Sequence, residues 1–365
     1  MKESYTLATR QDDEAIRRLL ANTPMEGSIS VAFEREPDYF SGLAVEGDVG
    51  EVITVKKNDE LIAMASRSIR TVYLNGIPQT VGYLSQLRVA AEHRDMQLLV
   101  RGHHFLKEVN RSASVPLHLA TIISDNQTAI KVLTSRKFGL PVYQKHGRLH
   151  TLAIQLRRKM AEYPCDFEIR PGSEALSDEI IACLQRNGKE KQFYPYYTKA
   201  EIASPERSRD LSWEDFYVAV RDNRVIGVCA VWDQHRFKQT VVKSYSGAIR
   251  RFRWLYNLGA ALFRLTPLPP VNQPFRYFYL SHIAVDDNHP HIFAALVRKV
   301  YNDFIDTDYA YFMVGLFADD PLCQAVLPYK PILYQSDLYL VYWEEAQDVI
   351  EQIDGRFPYL EIARL

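Results

Sequence analysis

A seven-residue pattern occurs twice in the chain and restricts the folds that are open to it. Residues 83–89 read YLSQLRV and residues 279–285 read YLSHIAV. Each pattern predicts a buried strand, and each is followed by a polar turn and by apolar residues at the spacing of one helical face. Because the neighbouring elements repeat together with the strand, the sequence predicts two diverged copies of one structural unit.

The other elements of the two copies agree in order. Each copy begins with a short strand and an amphipathic helix, followed by a hairpin that turns at Asn58–Asp59 in the first copy and at Asp222–Asn223 in the second. After the central strand come a helix, a strand, a second helix and a final β arm, which begins near Pro141 or Ile332. This order predicts an α/β (α+β) fold, a mixed sheet with helices on its faces.

The chain has 365 residues, which is longer than one hydrophobic core usually supports, so we expect two domains. A short charged segment separates the two copies, and the second copy contains an additional stretch rich in arginine and aromatic residues. The expected divisions are an N-terminal domain at residues 1–156, a linker at 157–166, and a C-terminal domain at 167–365 with an insertion at about 235–274.

The insertion is open to two interpretations. Its centre reads Arg250-Arg251-Phe252-Arg253-Trp254 and is too aromatic for a disordered segment. It could form a helical cover whose aromatic side chains pack on the second domain. Alternatively, it could shape a substrate site or bind an acidic partner, a membrane surface or RNA.

The composition argues against several classes of protein. With 44 Lys and Arg against 45 Asp and Glu, the chain lacks the basic excess that DNA-binding proteins carry. It shows no signal-peptide pattern and no apolar run of membrane-spanning length, so we expect a cytoplasmic location. No metal site is predicted, because the histidines are scattered and no CxxC pair occurs among Cys165, Cys183, Cys229 and Cys323.

The element order, with its central strand, turn and helix, resembles the GNAT superfamily of acyl-CoA-dependent N-acetyltransferases, here as a tandem pair. In that family the central strand leads into a loop of pattern Arg/Gln-x-x-Gly-x-Gly/Ala, whose backbone N–H groups hold the pyrophosphate of coenzyme A. The resemblance implies acetyl-CoA or another acyl-CoA as the donor and an amine of a small molecule or peptide as the acceptor. The residues that it assigns to the cofactor are Leu87, Arg88, Val89, Arg94, Asp95, Met96, Gln97, Leu98, Leu99 and Asn126.

The sequence departs from the family pattern at several of these positions. Gln97 and Leu99 stand where the family has its two glycines, and Leu133 stands where a tyrosine often protonates the leaving thiolate. Downstream, Lys137-Phe138 matches the Gly-Phe of the family pattern in part. In the second copy the loop begins at Pro290, which has no N–H to donate. If only one copy binds an acyl-CoA, we therefore expect the first.

Two residues have both a functional and a structural interpretation. Asn126 can contact the cofactor, or it can cap the helix that follows it. His282 lies in the second central strand where Gln86 lies in the first, and it can act as a catalytic base or as a packed core histidine.

Three functions remain open at this point. The first is an acyl-CoA-dependent N-acyltransferase. The second is a catalytically inactive tandem module that binds a ligand or a protein. The third is a Fem-type aminoacyl transferase that uses charged tRNA. The balanced net charge argues against this function, and the basic insertion argues for it.

Overall fold

The computed structural model describes residues 3–113, 115–136, 139–263 and 266–365. Lys137 and Phe138, which matched the family pattern in part, lie outside the described residues. The strands, in chain order, are β1 (Ser4–Leu7), β2 (Ile29–Glu34), β3 (Val49–Lys57), β4 (Glu60–Leu74), β5 (Ile77–Val89), β6 (His118–Ile123), β7 (Val142–Gln155), β8 (Glu168–Pro171), β9 (Lys191–Gln192), β10 (Phe216–Arg221), β11 (Arg224–Trp232), β12 (Gln239–Tyr245), β13 (Tyr277–Val285), β14 (Tyr311–Phe317), β15 (Ile332–Tyr342) and β16 (Phe357–Pro358). The α-helices are α1 (Asp13–Asn22), α2 (Tyr39–Glu46), α3 (Met96–Ala113), α4 (Gln127–Leu133), α5 (Ser177–Gly188), α6 (Lys199–Ile202), α7 (Gly247–Phe263), α8 (Pro290–Asp303), α9 (Cys323–Val326) and α10 (Gln347–Glu351).

One twelve-stranded mixed sheet runs through the molecule in the order β1-β3-β4-β5-β6-β15-β7-β14-β13-β11-β10-β8. The two halves of this sheet have the same strand order when each is followed from its edge to the centre. The first half runs β1-β3-β4-β5-β6 and ends at β15, and the second runs β8-β10-β11-β13-β14 and ends at β7. In each half the YLS strand, β5 or β13, pairs in parallel with the next core strand, β6 or β14, and antiparallel with the preceding hairpin strand, β4 or β11. The predicted mixed sheet with helices on its faces is confirmed.

The two halves of the sheet are joined through their last strands, which are exchanged. The arm of the first half, β7, lies against β14 of the second half, and the arm of the second half, β15, lies against β6 of the first. The two arms also pair with each other along their length. Leu152 and Ile154 of β7 are buried in the core of the second half, so this exchange ties the halves together by apolar packing.

The turns follow the local chemistry that the sequence predicted. Asn58 and Asp59 between β3 and β4, and Asp222 and Asn223 between β10 and β11, all have positive φ values, as a two-residue hairpin requires. The first half continues from β4 to β5 through a third hairpin of this kind, at Asn75–Gly76. At the corresponding point the second half carries the predicted insertion.

The insertion crosses to the first half of the molecule. Its strand β12 pairs antiparallel with β2, which lies between α1 and α2 of the first half. The helix α7 follows directly. The insertion therefore lies beside the segment that leads from β2 through Arg35 into α2, and it contributes Lys238 to the interior. No helix in the described part of the chain has the length and apolar character needed to cross a membrane.

Candidate active site

The central strand β5 separates from its neighbour β6 halfway along its length. The parallel pairs between them run from Gly82 with His118 to Leu84 with Ala120 and end there, whereas β5 stays paired with β4 as far as Val89. Close approach at the paired end requires a glycine, because a Cβ at Gly82 would lie 2.1 Å from the His118 ring. Beyond Leu84, one edge of β5 therefore faces a cleft.

The strand changes direction at the beginning of this cleft. Gln86 has a φ of +50°, and the pairing with β4 shifts register between Met64 and Ser66 opposite it, which defines a β-bulge. His282 has a φ of +52° at the corresponding place in β13, and β11 shifts register opposite it. Non-glycine residues in this left-handed region are strained, and such strain concentrates at functional sites.

The two clefts differ in what fills them. In the first half Ser85, Gln86 and Arg88 are half-buried and Leu87 is exposed, so the strand edge is accessible. In the second half every residue from Ser281 to Val285 is buried.

The second cleft is occupied by the last residues of the described chain. The Glu361 carboxylate accepts a hydrogen bond from the backbone N–H of His282 at 2.7 Å. Ile362 lies so close to β14 that a Cβ on Gly315 would meet it at 2.2 Å. Of the two strand edges, that of β5 is therefore accessible and that of β13 is covered.

His282 is enclosed by aromatic side chains. Its ring lies against the rings of Tyr197, Phe216 and Trp232, and its Nδ1 is paired with the Ser281 hydroxyl at 2.8 Å. Burial, with the positive charge of Arg364 nearby, holds the pKa of His282 well below its usual value. The ring is thus neutral and shielded from solvent, in agreement with the core interpretation. Its role as a catalytic base stays a prediction, and we assign no step to it.

A group of polar side chains lies around the bulge of the first half. Glu46, at the end of α2, is buried and accepts a hydrogen bond from the Ser85 hydroxyl at 3.4 Å. Its other oxygen lies 3.7 Å from the guanidinium of Arg35, which is also buried. Tyr39 of α2 is hydrogen-bonded to Ser66 of β4. The carboxylate of Glu46 is therefore held next to the residue that precedes the bulge.

Two further cations lie on the same interior side. Arg70 of β4 is buried, lies over the Tyr83 ring at 5.4 Å, and its Nε has no hydrogen-bond partner among the described residues. Lys238 of the insertion is buried and donates to the backbone oxygens of Ala363 and Leu365. Burial, with a further contribution from the charge of Arg35, lowers the pKa of Lys238 to about 7. The interior thus combines one carboxylate at the bulge with several cations.

The predicted pyrophosphate loop lies at the beginning of α3. Arg94, Asp95 and Gln97 are exposed, and Met96 is the half-buried first residue of the helix. The Asp95 carboxylate accepts a hydrogen bond from the backbone N–H of Gln97 at 3.1 Å. It therefore occupies one of the N–H groups that would otherwise be free to hold a phosphate.

The apolar residues of the same loop are used for packing. Leu98 is buried in a cluster with Val55 and Ile62, and Val89 packs against the same cluster. Leu99 packs against a second cluster that includes Ala120 and Leu133. The side chains that replace the two family glycines thus differ: Gln97 points to solvent, and Leu99 fills space between the helix and the sheet.

Asn126 immediately precedes α4, and Leu133 is its last residue. The Asn126 side chain accepts a hydrogen bond from the backbone N–H of Ala129 at 3.1 Å, so it caps the helix as the structural interpretation proposed. The cluster around Leu133 also contacts Tyr143 of β7, whose hydroxyl is 3.2 Å from Nε2 of His103. A tyrosine hydroxyl therefore lies near the position at which the family tyrosine is missing.

Sequence reasoning did not identify Arg35, Glu46, Arg70, Lys238 or Tyr143. A signal for some of them was available. Glu46 ends an otherwise apolar helix, YFSGLAVE, and Arg70 lies in a long strand with buried neighbours. Charged residues in such apolar contexts are buried only where they have a partner or a function. Their convergence on one interior region depends on strands and helices that are distant in sequence.

No family model matches the chain, and no curated protein sequence matches it. Solved structures do. The chain is similar to Saccharomyces cerevisiae N-myristoyltransferase with bound myristoyl-CoA, with a TM-score of 0.59 and 13% identity over 93% of this chain and 82% of that chain. It is also similar to a GCN5-related N-acetyltransferase from Sphaerobacter thermophilus, with a TM-score of 0.55 and 12% identity over 99% of this chain and 98% of that chain.

A third similar structure is a GCN5-related N-acetyltransferase from Anabaena variabilis, with a TM-score of 0.52 and 11% identity over 93% of this chain and 72% of that chain. At such low identity these similarities establish the fold, and they extend over most of the chain. The predicted resemblance is confirmed at that level. This chain has the GNAT-like fold of N-acetyltransferases and N-myristoyltransferase.

Proposed function

We propose that the protein is an acyl-CoA-dependent N-acyltransferase whose donor binds in the first half. The observation that carries this proposal is the accessible, bulged edge of β5 beyond Leu84. An extended strand edge offers backbone N–H and C=O groups to the amide groups of a pantetheine arm, in the way that a neighbouring strand would. The corresponding edge of β13 is covered by the chain itself, which restricts the proposal to one donor site.

The acyl group would enter the interior at the bulge. Residues 87–89 would lie along the pantetheine, and the N-terminal turn of α3, with Arg94, would hold the pyrophosphate. Acetyl-CoA and longer acyl-CoAs are both candidate donors. The similar N-myristoyltransferase structure contains myristoyl-CoA, which makes a long-chain donor worth testing alongside acetyl-CoA.

In the proposed reaction, the nitrogen of an amine attacks the thioester carbonyl and forms the new C–N bond. Glu46 accepts the proton that the nitrogen loses, because its carboxylate lies beside Ser85 at the bulge. Backbone N–H groups at the bulge stabilise the negative charge on the carbonyl oxygen. The C–S bond then breaks, and coenzyme A leaves as a thiolate that must be protonated.

We assign the protonation of the thiolate to Tyr143. The tyrosine that often serves this purpose in the family is replaced by Leu133, and Tyr143 packs against the same cluster from β7. Its hydroxyl is oriented by His103. Burial raises the pKa of Tyr143, so the hydroxyl holds its proton until the reaction. The same buried surroundings disfavour a free thiolate, which favours transfer of the proton as the C–S bond breaks.

Calorimetric titration tests the donor site directly. The purified protein is titrated with acetyl-CoA, myristoyl-CoA and free coenzyme A. The same titrations are made with Arg94→Ala and with Arg111→Ala, which removes an exposed arginine from the opposite end of the same helix. We expect saturable binding that Arg94→Ala weakens and Arg111→Ala leaves unchanged.

The outcomes separate the functions that the sequence left open. Binding followed by release of coenzyme A in the presence of an amine supports the enzyme. Binding without turnover across a broad panel of amines favours a ligand-binding module instead. No binding of any thioester contradicts the proposal, and aminoacyl-tRNA is then the next donor to test.

The predicted domain organisation is part of the same proposal. We attribute the two halves to a tandem duplication, with copies at residues 1–156 and 167–365, a linker at 157–166 and the insertion at about 235–274. Their matching strand order and the two bulges at Gln86 and His282 support this origin. We also retain the predicted cytoplasmic location, where acyl-CoA donors are available.

A further inference from the structure

Helix α7 of the insertion presents large apolar side chains to solvent. Phe252, Trp254, Leu255 and Leu258 are 51%, 68%, 50% and 66% exposed. At 100° per residue, Trp254, Leu255 and Leu258 fall on one side of the helix. Scattered exposed leucines are common on protein surfaces, but a row of them with a tryptophan is not.

The opposite side of α7 is turned towards the protein and is partly polar. Arg253 donates to the backbone oxygen of Pro269 at 2.9 Å and lies over the Tyr245 ring. The Asn257 side chain exchanges two hydrogen bonds with the backbone of Leu268. Arg253 and Asn257 thus attach the helix to the loop that follows it, and Trp254, Leu255 and Leu258 are left exposed.

The sequence of this segment is one-sided in charge. Residues 234–285 contain eight of the 44 Lys and Arg of the chain and none of its 45 Asp and Glu, although Lys238 is buried and Lys243 and Arg236 pair with Glu34 and Asp210 of other segments. Arg250 and Arg251 are exposed beside the apolar side chains of α7. The positive charge that α7 itself presents to solvent therefore comes from Arg250 and Arg251.

We propose that α7 binds the surface of a membrane that contains anionic lipids. Tryptophan and leucine side chains enter the boundary between headgroups and acyl chains, and flanking arginines pair with lipid phosphates and carboxylates. Arg250 and Arg251 beside the apolar side chains favour a partner of negative charge. A second copy of this chain does not supply it at α7, because the same surface on that copy is equally positive.

Trp254 provides a built-in reporter of this binding. The other three tryptophans, Trp213, Trp232 and Trp343, are buried, at 7%, 0% and 9% exposure. A change of fluorescence on binding to lipid therefore reports on Trp254. We expect its emission to shift to shorter wavelength on binding and to be quenched by lipids that carry bromine on their acyl chains.

The full-length protein is mixed with vesicles of phosphatidylcholine alone, or of phosphatidylcholine with phosphatidylserine, and bound protein is measured by flotation. We expect binding to the anionic vesicles that weakens as salt is raised. Trp254→Ala combined with Leu258→Ala should reduce it by about tenfold or more. Arg250→Gln and Arg251→Gln should each reduce it by about fivefold.

Two variants outside the segment are the controls. Ile77→Ala removes an apolar side chain of comparable exposure from the first position of β5, and Arg18→Gln removes an exposed arginine from α1. Neither should change binding. Unchanged thermal unfolding of each variant confirms that it is folded.

Three results would overturn the proposal. One is absence of binding to both kinds of vesicle. The second is binding that the Trp254 and Leu258 substitutions leave unchanged. The third is a concentration-dependent dimer in which Trp254 becomes protected from soluble quenchers without lipid. None of these depends on acyl-CoA binding, so failure here is distinguishable from failure of the proposed activity.

Discussion

Replacement of Glu46 by glutamine tests the assignment of the catalytic base. The substitution keeps the size of the side chain and its ability to accept a hydrogen bond from Ser85, but removes the negative charge. Deletion of a base that takes a proton in the transition state typically lowers turnover by roughly 100-fold or more. Affinity for the acyl-CoA should stay unchanged, because Glu46 contacts Ser85 before the bulge, whereas the proposed donor lies along residues 87–89 after it.

The stability of the same variant can be worked out from the structure. Arg35 and Glu46 are both buried and their charged atoms are 3.7 Å apart, so their attraction amounts to roughly 4 kcal/mol at an effective dielectric constant of about 20. The substitution also removes the cost of burying a charged carboxylate, which is on the order of several kcal/mol. This gain offsets most of the attraction that is lost. We expect Glu46→Gln to lower the free energy of unfolding by about 1–3 kcal/mol, mainly because Arg35 then lacks an acidic partner.

The assay combines urea denaturation with thiol detection of released coenzyme A. Glu51→Gln is the matched control, because Glu51 pairs at 2.8 Å with buried Arg67 in the same half of the sheet. It should lower stability without lowering turnover. The double variant Arg35→Met with Glu46→Leu should recover stability to within about 1 kcal/mol of the original protein while remaining inactive.

The base assignment is refuted if Glu46→Gln retains full turnover per folded molecule. The pair is then a structural ion pair only. If turnover falls because acyl-CoA no longer binds, Glu46 supports the donor site and is not shown to be the base.

Three further predictions concern the donor loop, the leaving group and pH. Gln97→Gly should lower the free energy of unfolding by about 1 kcal/mol in a denaturation experiment and improve acyl-CoA affinity in calorimetry. Leu99→Gly should lower the free energy of unfolding by about 2–4 kcal/mol, because the Leu99 side chain is packed in an apolar cluster. Tyr143→Phe should lower turnover with little change in acyl-CoA affinity, and the loss should be smaller for thioesters of more acidic thiols, which need no protonation. Lys238 has a pKa of about 7 in the folded protein, which is below its value in the unfolded chain. Between pH 7 and about 10 the unfolded state therefore binds more protons than the folded state, and the free energy of unfolding should rise with pH. Lys238→Met should reduce this rise in pH-dependent denaturation, and an unchanged pH profile would contradict the lowered pKa.

Much of the fold could be predicted because its signals are local. The alternation of apolar residues, the Asn and Asp turns and the repeated YLS strand each depend on neighbours in sequence, and each appears in the structure where it was expected. The capping role of Asn126 is local in the same sense. The exchange of β7 and β15 was not foreseen, because strand partners far apart in sequence leave no local signal.

The candidate site was harder to predict. The resemblance directed attention to the loop from Arg94 to Leu99, and the structure places three of these side chains in solvent and two in apolar clusters. Glu46, Arg70 and Lys238 went unnoticed because they come from α2, β4 and the insertion. Only the folded chain brings them to the same interior region.

The insertion shows a similar division. Its sequence indicated a basic and aromatic helix but left open whether the aromatic side chains pack on the protein or face outwards. The structure turns Arg253 and Asn257 inwards, to bond with the loop that follows the helix, and so leaves Trp254 and Leu258 exposed. That orientation depends on tertiary contacts and cannot be read from periodicity alone.

By itself, the sequence determined that the chain has two similar α/β halves, where most of their strands and helices lie, and which family they resemble. These properties follow from hydrophobic periodicity and turn chemistry, which act over a few residues. Only the tertiary structure decided that the first cleft is open while Glu361 and Ile362 fill the second, and which charges meet at the bulge. Both depend on contacts between residues far apart in the chain, whose geometry is set by the packing of the whole molecule.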